Sequence, residues 1–212
     1  VGTLLGVLAS RNPSGWFSNV ITVLALVGYS APVFWTGIVL VILFGSVVPI
    51  FPIANMSDVT VDGGAFAGAV DVAHHLVLPA FTLGIIYLAQ YARLARASML
   101  EVLGADYIRT ARAKGLGERT VIAKHALRNA ILPVITMAGL QFGMMISGAV
   151  LVETVFSWPG LGTLALDAIL GRDYPTILGI LFFSAAVVIT ANLVTDLCYS
   201  LVDPRIETGP KR

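Results

Sequence analysis

Between Asn12 and Ser57 the chain carries no Asp, Glu, Lys or Arg. So long an uncharged stretch exceeds the ~20 residues that one membrane-crossing helix needs. Composition extends the point: 57% of the 212 residues are hydrophobic and 12% are charged, whereas soluble domains carry about 25% charged residues. In hydrocarbon every backbone polar group must find its partner inside the protein, and an open sheet edge cannot. The expectation is an all-α, polytopic transmembrane helical bundle, read as one domain over 1–212 without internal repeats.

Five apolar segments can be marked out. The first, Val1 to Ala9, is far shorter than a span and follows no initiator Met or signal-peptide pattern. It reads as the end of a helix whose beginning lies outside this sequence, so the chain is expected to be a fragment. The second runs from Trp16 to Val48, kinked at Pro32 and ended by Pro49 and Pro52. The others cover Leu76–Leu94, with Pro79 in its first turn, Ile131–Val152 and Pro175–Leu201. The single cysteine, Cys198, excludes a disulfide framework and a multi-cysteine metal site, and reads as a small buried hydrophobe.

Lys and Arg orient these segments. None lies between Arg11 and Arg93, whereas the central loop holds Arg93, Arg96, Arg109, Arg112, Lys114, Arg119, Lys124 and Arg128. Glu153 to Tyr174 has only Arg172, and the tail has Arg205, Lys211 and Arg212. Basic and non-basic connections alternate, as the positive-inside rule requires. The central loop and the C-terminus are therefore expected in the cytoplasm, and the acidic, Gly-rich stretch around Asp58, Asp62 and Asp71 outside.

The basic loop, taken as residues 97–131, contains "YIRTARAKGLGERTVIAKHALRNAILP". Asp106, Arg109 and Arg112 share one helix face, beside an apolar stripe of Tyr107, Ile108 and Ala111 joined by Gly115. Gly115 and Gly117 can take positive φ and turn the chain. A second helix then starts with Glu118 in its first turn, carrying Val121, Ile122 and Leu127 to one side and Lys124 and Arg128 on another. Two short amphipathic helices at an angle follow from this pattern. They suit a basic face on anionic lipid or a docking element for a cytoplasmic partner. A DNA-binding helix-turn-helix lacks the third helix that would complete its core, so nucleic acid is not an expected partner.

This loop resembles the cytoplasmic EAA loop of ABC-importer permease subunits, and specifically of the dipeptide/oligopeptide permease family. Gly115 matches the glycine of E-A-A-x3-G, and Leu132-Pro133 the motif's ending. Arg109-Thr110-Ala111 stands where the general pattern has Glu-Ala-Ala, and the Gly-to-Pro interval is about five residues longer; both departures are similar to the peptide-permease branch. "GYSAPVFWTGIVL" (Gly28 to Leu40), "LVETVFSWPGLG" (Leu151 to Gly162), "RDYP" (Arg172 to Pro175) and "DLCYSLVDPR" (Asp196 to Arg205) look like that family in the same order. By that resemblance, the family's first transmembrane helix and the external segment after it are expected to lie outside this sequence.

The resemblance implies the type I ABC-importer permease fold, in a multi-pass protein of a prokaryotic inner membrane. It implies a homologous second permease, two cytoplasmic ATPase subunits that bind ATP and Mg, and an external substrate-binding protein delivering di- or oligopeptides. Tyr107, Ile108, Arg109, Ala111, Arg112, Lys114, Gly115 and Leu116 would form the coupling helix: Tyr107, Ile108 and Ala111 in a groove of the ATPase, Arg109 and Arg112 on its polar rim. The "SWPGLG" turn, with Trp158, Gly160 and Gly162, would lie at the outer gate, its glycines tolerating no Cβ at positive φ. The rival reading is a non-transport scaffold or sensor whose basic loop binds membrane lipid.

The chain itself shows no G-x4-G-K-[ST], H-E-x-x-H or G-x-S-x-G pattern, so no catalytic residue, resident cofactor or metal is expected in it. His74 and His75 read as interfacial polar residues, and His125 as a surface or interface residue. Gly139, Gly143 and Ser147 form a small-residue stripe. Gln141, an amide at bilayer depth, is a translocation-path candidate together with Ser147 and Glu153, with an interhelical hydrogen bond as the alternative for Gln141. Asp196, near Asn192 at the cytoplasmic interface, is expected to pair with a neighbouring group rather than with substrate.

Overall fold

The computed structural model describes residues 1–58 and 64–202, except for the side chains of 142–148 and 200–202. Asp62 and the tail cations Arg205, Lys211 and Arg212 lie outside the described residues, as do the side-chain surroundings of Gly143 and Ser147. Ten α-helices follow in order among the described residues: α1 (Gly2–Ser10), α2 (Trp16–Ser30), α3 (Val33–Ile42), α4 (Gly64–Leu103), α5 (Asp106–Ala113), α6 (Glu118–Thr120), α7 (Leu127–Ala130), α8 (Leu132–Val155), α9 (Leu161–Leu170) and α10 (Tyr174–Val202). A π turn extends α3 over Leu43–Val47, and another joins α6 to α7 over Val121–Ala126. No strand occurs among the described residues.

Two helices, Gly64–Leu103 and Tyr174–Tyr199, are long and apolar enough to cross a membrane, and Trp16–Ser30 with Val33–Val47 would make a third if taken together. In that pair the expected kink at Pro32 is a full break, with the two helices bent by 102°. The residue before a proline is pushed out of the α region, so α2 stops at Ser30 and Pro32, at φ −59° and ψ 139°, starts α3 instead. The third segment is also longer than expected. Its 40 residues place Pro79 well inside the helix and reach about 60 Å at 1.5 Å per residue, twice the hydrocarbon thickness. The helix continues upstream of Pro79 through Asp71 and His75, one turn apart, where His75 Nδ1 lies 3.3 Å from Asp71 Oδ1.

The chain divides into two compact units, neither contiguous in sequence. One comprises Val1–Gly28, Tyr87–Phe142 and the chain from Val187 on. In it α1 meets α4 backbone to backbone: a Cβ on Gly2 would fall 2.5 Å from the Leu88 carbonyl oxygen, and one on Gly6 2.3 Å from that of Ala92. Ala89, Ala92 and Ala95 give α4 a smooth buried face, so the G-x3-G spacing of α1 works as a close-contact stripe. Arg96 ties the α1–α2 connection to α4 by donating Nε to Ser18 Oγ at 3.0 Å and Nη2 to the Pro13 carbonyl at 3.4 Å. The expected close contact at Gly139 is present too, a Cβ there falling 2.8 Å from Thr195 Cγ2 of α10.

The other unit comprises Tyr29–Ile86 and Gly143–Ala186. Leu40, Leu78, Val152 and Phe156 form its core. The segment after α3 is bound back onto it: the Asn55 N–H donates to the Phe156 carbonyl at 2.9 Å, and His74 Nε2 lies 3.2 Å from the Ile50 carbonyl oxygen with its ring against Phe51.

Candidate functional site

The basic loop has a core of its own. Ile108 and Ala111 of α5 are buried with Val121, Ala126 and Ala130, all seated on Met99 from the last turns of α4. An ordinary helix would place Val121 and Ala126, five residues apart, on different faces. The π turn over Val121–Ala126 bonds i to i+5 and brings both inward. Sequence reasoning missed this turn and grouped Val121 with Ile122 and Leu127; those two are half-buried flanks.

The expected apolar stripe is therefore divided. Ile108 has no exposed surface and Ala111 is 7% exposed, so they anchor α5 within this chain and cannot line a partner's groove. The outward groups are Tyr107 and Leu116, 44% and 40% exposed, with Arg109, Arg112 and Lys114 beside them. Tyr107 is held at its tip, where its hydroxyl accepts from Asn129 Nδ2 at 2.8 Å.

Gly115 turns the chain at φ +76°, a region that favours glycine. Gly117 does not share that role: at φ −61° and ψ 143° it is the extended cap of α6. Arg112 clamps the turn by donating Nη2 and Nε to Glu118 at 2.7 and 3.1 Å. The hydrogen bond from Arg112 holds the Glu118 carboxyl below its ordinary range and the same bond raises the guanidinium. A carboxyl depressed on folding adds stability above its unfolded pKa, which is lost as pH falls through the folded value. The pair is exposed and screened by solvent, so Glu118→Gln is expected to loosen the turn only slightly, read as a small rise in tryptic cleavage of the loop at neutral pH.

Of the expected pathway residues, Gln141 is buried and its Nε2 donates to Gln90 Oε1 on α4. The interhelical bond is thus present, yet Gln141 Oε1 is buried without a partner among the described residues. Glu153 does something other than expected. Its Oε2 accepts from the Thr163 N–H at 2.7 Å and Oε1 from the Gly162 N–H at 3.3 Å. It is buried and caps the start of α9, where a carboxylate satisfies otherwise unpaired N–H groups and favours the helix dipole.

That cap explains the glycines of the outer turn. Gly160 sits at φ −123° and ψ 177°, extended backbone open to any residue, so positive φ is not its reason. A Cβ there would fall 2.2 Å from the Glu153 carboxyl carbon, and one on Gly162 2.5 Å from Val150 Cγ2. Trp158 is half-buried beside them, its N–H bonded to the Glu153 carbonyl at 2.8 Å. Gly160→Val is expected to expel Glu153 and fray α9, read as a lower thermal midpoint in detergent; a midpoint equal to the wild type would show that the capped turn is dispensable.

On the described outer segment, Asp58, Asp71 and His75 bring ligand-type atoms within 4.8 Å of one another. Two hydrogen bonds tie the group together: the Asp58 backbone N–H donates to Asp71 Oδ2 at 2.7 Å, and His75 Nδ1 lies 3.0 Å from the Asp71 carbonyl oxygen. His75 is buried within the protein.

Comparison with known proteins closes on one group. The dipeptide transport system permease protein DppB of Escherichia coli is 45% identical over 223 residues, covering 97% of this chain and 66% of that protein. The di/tripeptide transport system permease protein DppB of Pseudomonas aeruginosa is 43% identical, over 97% of this chain and 65% of its own length. The oligopeptide transport system permease protein AppB of Bacillus subtilis is 43% identical, over 95% and 63%. The chain thus spans just under two thirds of the length of the relatives it matches. Residues 2–208 match the family model described as the binding-protein-dependent transport system inner membrane component. With an all-helical fold carrying at least two membrane-length apolar helices, the chain belongs to the family of binding-protein-dependent transport system inner membrane components.

Proposed function

We propose that this chain is a permease subunit of an ATP-driven importer that translocates di- or oligopeptides handed over by an external binding protein. The relatives' names support the peptide cargo. In this reading α1, the α2–α3 pair, α4, α8 and α10 are the five membrane segments, and the basic loop and C-terminus are cytoplasmic. ATP and Mg bind to two partner ATPases. Their closure drags α5, and the helices rooted in the loop rock between two states.

The observation that carries this reading is the divided face of α5. A loop that only lay on anionic lipid would need exposed cations, not a buried core of six residues beneath an exposed Tyr107 and Leu116. Such a core makes α5 a rigid handle on α4 and α7, as a force-bearing contact requires. Gln141, beside its unpaired carbonyl oxygen, stays as the pathway candidate, since a polar group at bilayer depth marks function by default.

Orientation is testable directly. In a Cys198→Ser background, a membrane-impermeant maleimide is expected to label Ala65→Cys from outside and Glu118→Cys only after the cytoplasmic face is opened. The reverse pattern would overturn the topology. Uptake of a panel of labelled di- and oligopeptides by the assembled system, with ATP hydrolysis followed in parallel, tests cargo; hydrolysis that no peptide stimulates would remove the peptide assignment.

A further inference from the structure

The outer segment holds a group of polar side chains that the transport reading leaves unused. Asp71 and His75 stand one turn apart on α4, and Asp58 comes to them from the segment after α3. One ligand-type atom from each lies within 4.8 Å of the other two. The His75 side chain is 4% exposed and that of Asp71 13%, whereas Asp58 is open to solvent. Among the described residues every polar contact of the His75 ring is to Asp71: Nδ1 lies 3.0 Å from its carbonyl oxygen and 3.3 Å from Oδ1. A buried imidazole is thus aimed into two carboxylates and bonded to nothing outside the group. Two carboxylates at this spacing repel unless a cation joins them. No Lys or Arg does. None occurs in the sequence between Arg11 and Arg93, and the unit that contains the group has one such residue, Arg172, which forms no ion pair among the described residues. His74 is engaged elsewhere, with Nε2 at the Ile50 carbonyl and its ring against Phe51.

We infer that Asp58, Asp71 and His75 form a divalent-metal site suited to zinc. One imidazole nitrogen and two carboxylate oxygens are a donor set that zinc takes at about 2.0–2.2 Å, with water in the open position. Calcium takes about six or more oxygen ligands, and magnesium a near-ideal octahedron of them. Nδ1 faces two acceptors and so carries a proton; zinc takes its place, and that proton is released to solvent. The ion offsets both negative charges. It also fastens Asp58 to α4, adding to the bond from the Asp58 N–H to Asp71 Oδ2. Exposed Asp58 gives the metal its way in from solution. The site stands apart from the transport reading, since the basic loop and Gln141 belong to the other unit.

The test uses the full chain, purified in detergent without a polyhistidine tag and stripped with EDTA. Titrated with zinc chloride in a calorimeter, it is expected to bind one zinc ion at this group, and its thermal midpoint to rise as zinc is added. Asp58→Asn removes one ligand at an exposed position and keeps the backbone N–H bond, so it should fold as the wild type does. Its zinc affinity should fall at least ~10-fold. His75→Gln should lose the site altogether. His125→Gln, in the basic loop, and Cys198→Ser should bind zinc like the wild type, and excess calcium should not displace it. Equal zinc affinity in Asp58→Asn and the wild type, or a midpoint that zinc does not move, would overturn the inference. The charge that joins the two carboxylates would then be a proton on His75.

Discussion

Ile108→Asp is expected to abolish uptake and to release the ATPase, by destroying the loop rather than by spoiling a contact. Ile108 has no exposed surface and sits among Met99, Val121, Ala126 and Ala130. No cation enters that core. A carboxylate placed there is buried and unpaired, which costs several kcal/mol against a miniature core that has few other contacts to spare. The loop reports its own state, because Arg109, Arg112, Lys114, Arg119, Lys124 and Arg128 are sites for trypsin. The variant should be cut in the loop much faster than the wild type. Ile108→Val, which removes one methyl, should cost only ~1 kcal/mol and keep uptake. Slow cleavage of the Ile108→Asp loop would mean that residue 108 does not sit in a core.

Gly6→Val should produce the largest loss of thermal stability outside the loop. A Cβ at Gly6 meets a backbone carbonyl at 2.3 Å and the Ala95 Cβ at 2.9 Å, and neither can rotate away as a flexible side chain would. α1 must leave α4, undoing the contact along Ala92 and Ala95. Overpacking of this kind costs typically ~1–3 kcal/mol, and valine's branches add to the clash. Gly6→Ala should fall between. Gly84, with open space where its Cβ would lie, is the internal control, since Gly84→Ala should match the wild type. Thermal unfolding in detergent, followed by aggregation, gives the order, and a Gly6→Val midpoint equal to the wild type would contradict the α1–α4 contact.

What was legible in the sequence was whatever depended on composition and period. The long uncharged run pointed to a helical membrane protein, and the alternation of basic connections predicts an orientation that the maleimide labelling tests. The two loop helices and the turn at Gly115 also followed from local chemistry. What stayed hidden needed a partner in space. Tyr107, Ile108 and Ala111 form one stripe on a helical wheel, and only the position of Met99 and Val121 decides that two of them face inward. Glu153 was set among the pathway candidates because the N–H groups it caps, at Gly162 and Thr163, lie about ten residues away. Pro79 suggested a first turn, since nothing local revealed that the helix began at Gly64. The Gly2–Gly6 spacing was a readable signal that went unused beside the similar stripe at Gly139.

The central claim is that the outward surface of α5 and the turn after it, Tyr107 and Leu116 above a self-contained core, is the seat of a nucleotide-binding subunit. Charge and packing separate here. Tyr107→Ala with Leu116→Asp changes exposed groups and gives up one exposed hydrogen bond, to Asn129, while the buried core is untouched, so the loop should stay close to the wild type in resistance to trypsin. Neutralising Lys124 and Arg128 with Gln should matter less, exposed ion pairs being worth ~0–1 kcal/mol each. The most direct measurement is the ratio of ATPase to permease after purification in detergent, where anionic lipid is largely absent. The account expects the Tyr107→Ala/Leu116→Asp protein to arrive without its ATPase while its loop stays folded. ATPase retained at the wild-type ratio would contradict it.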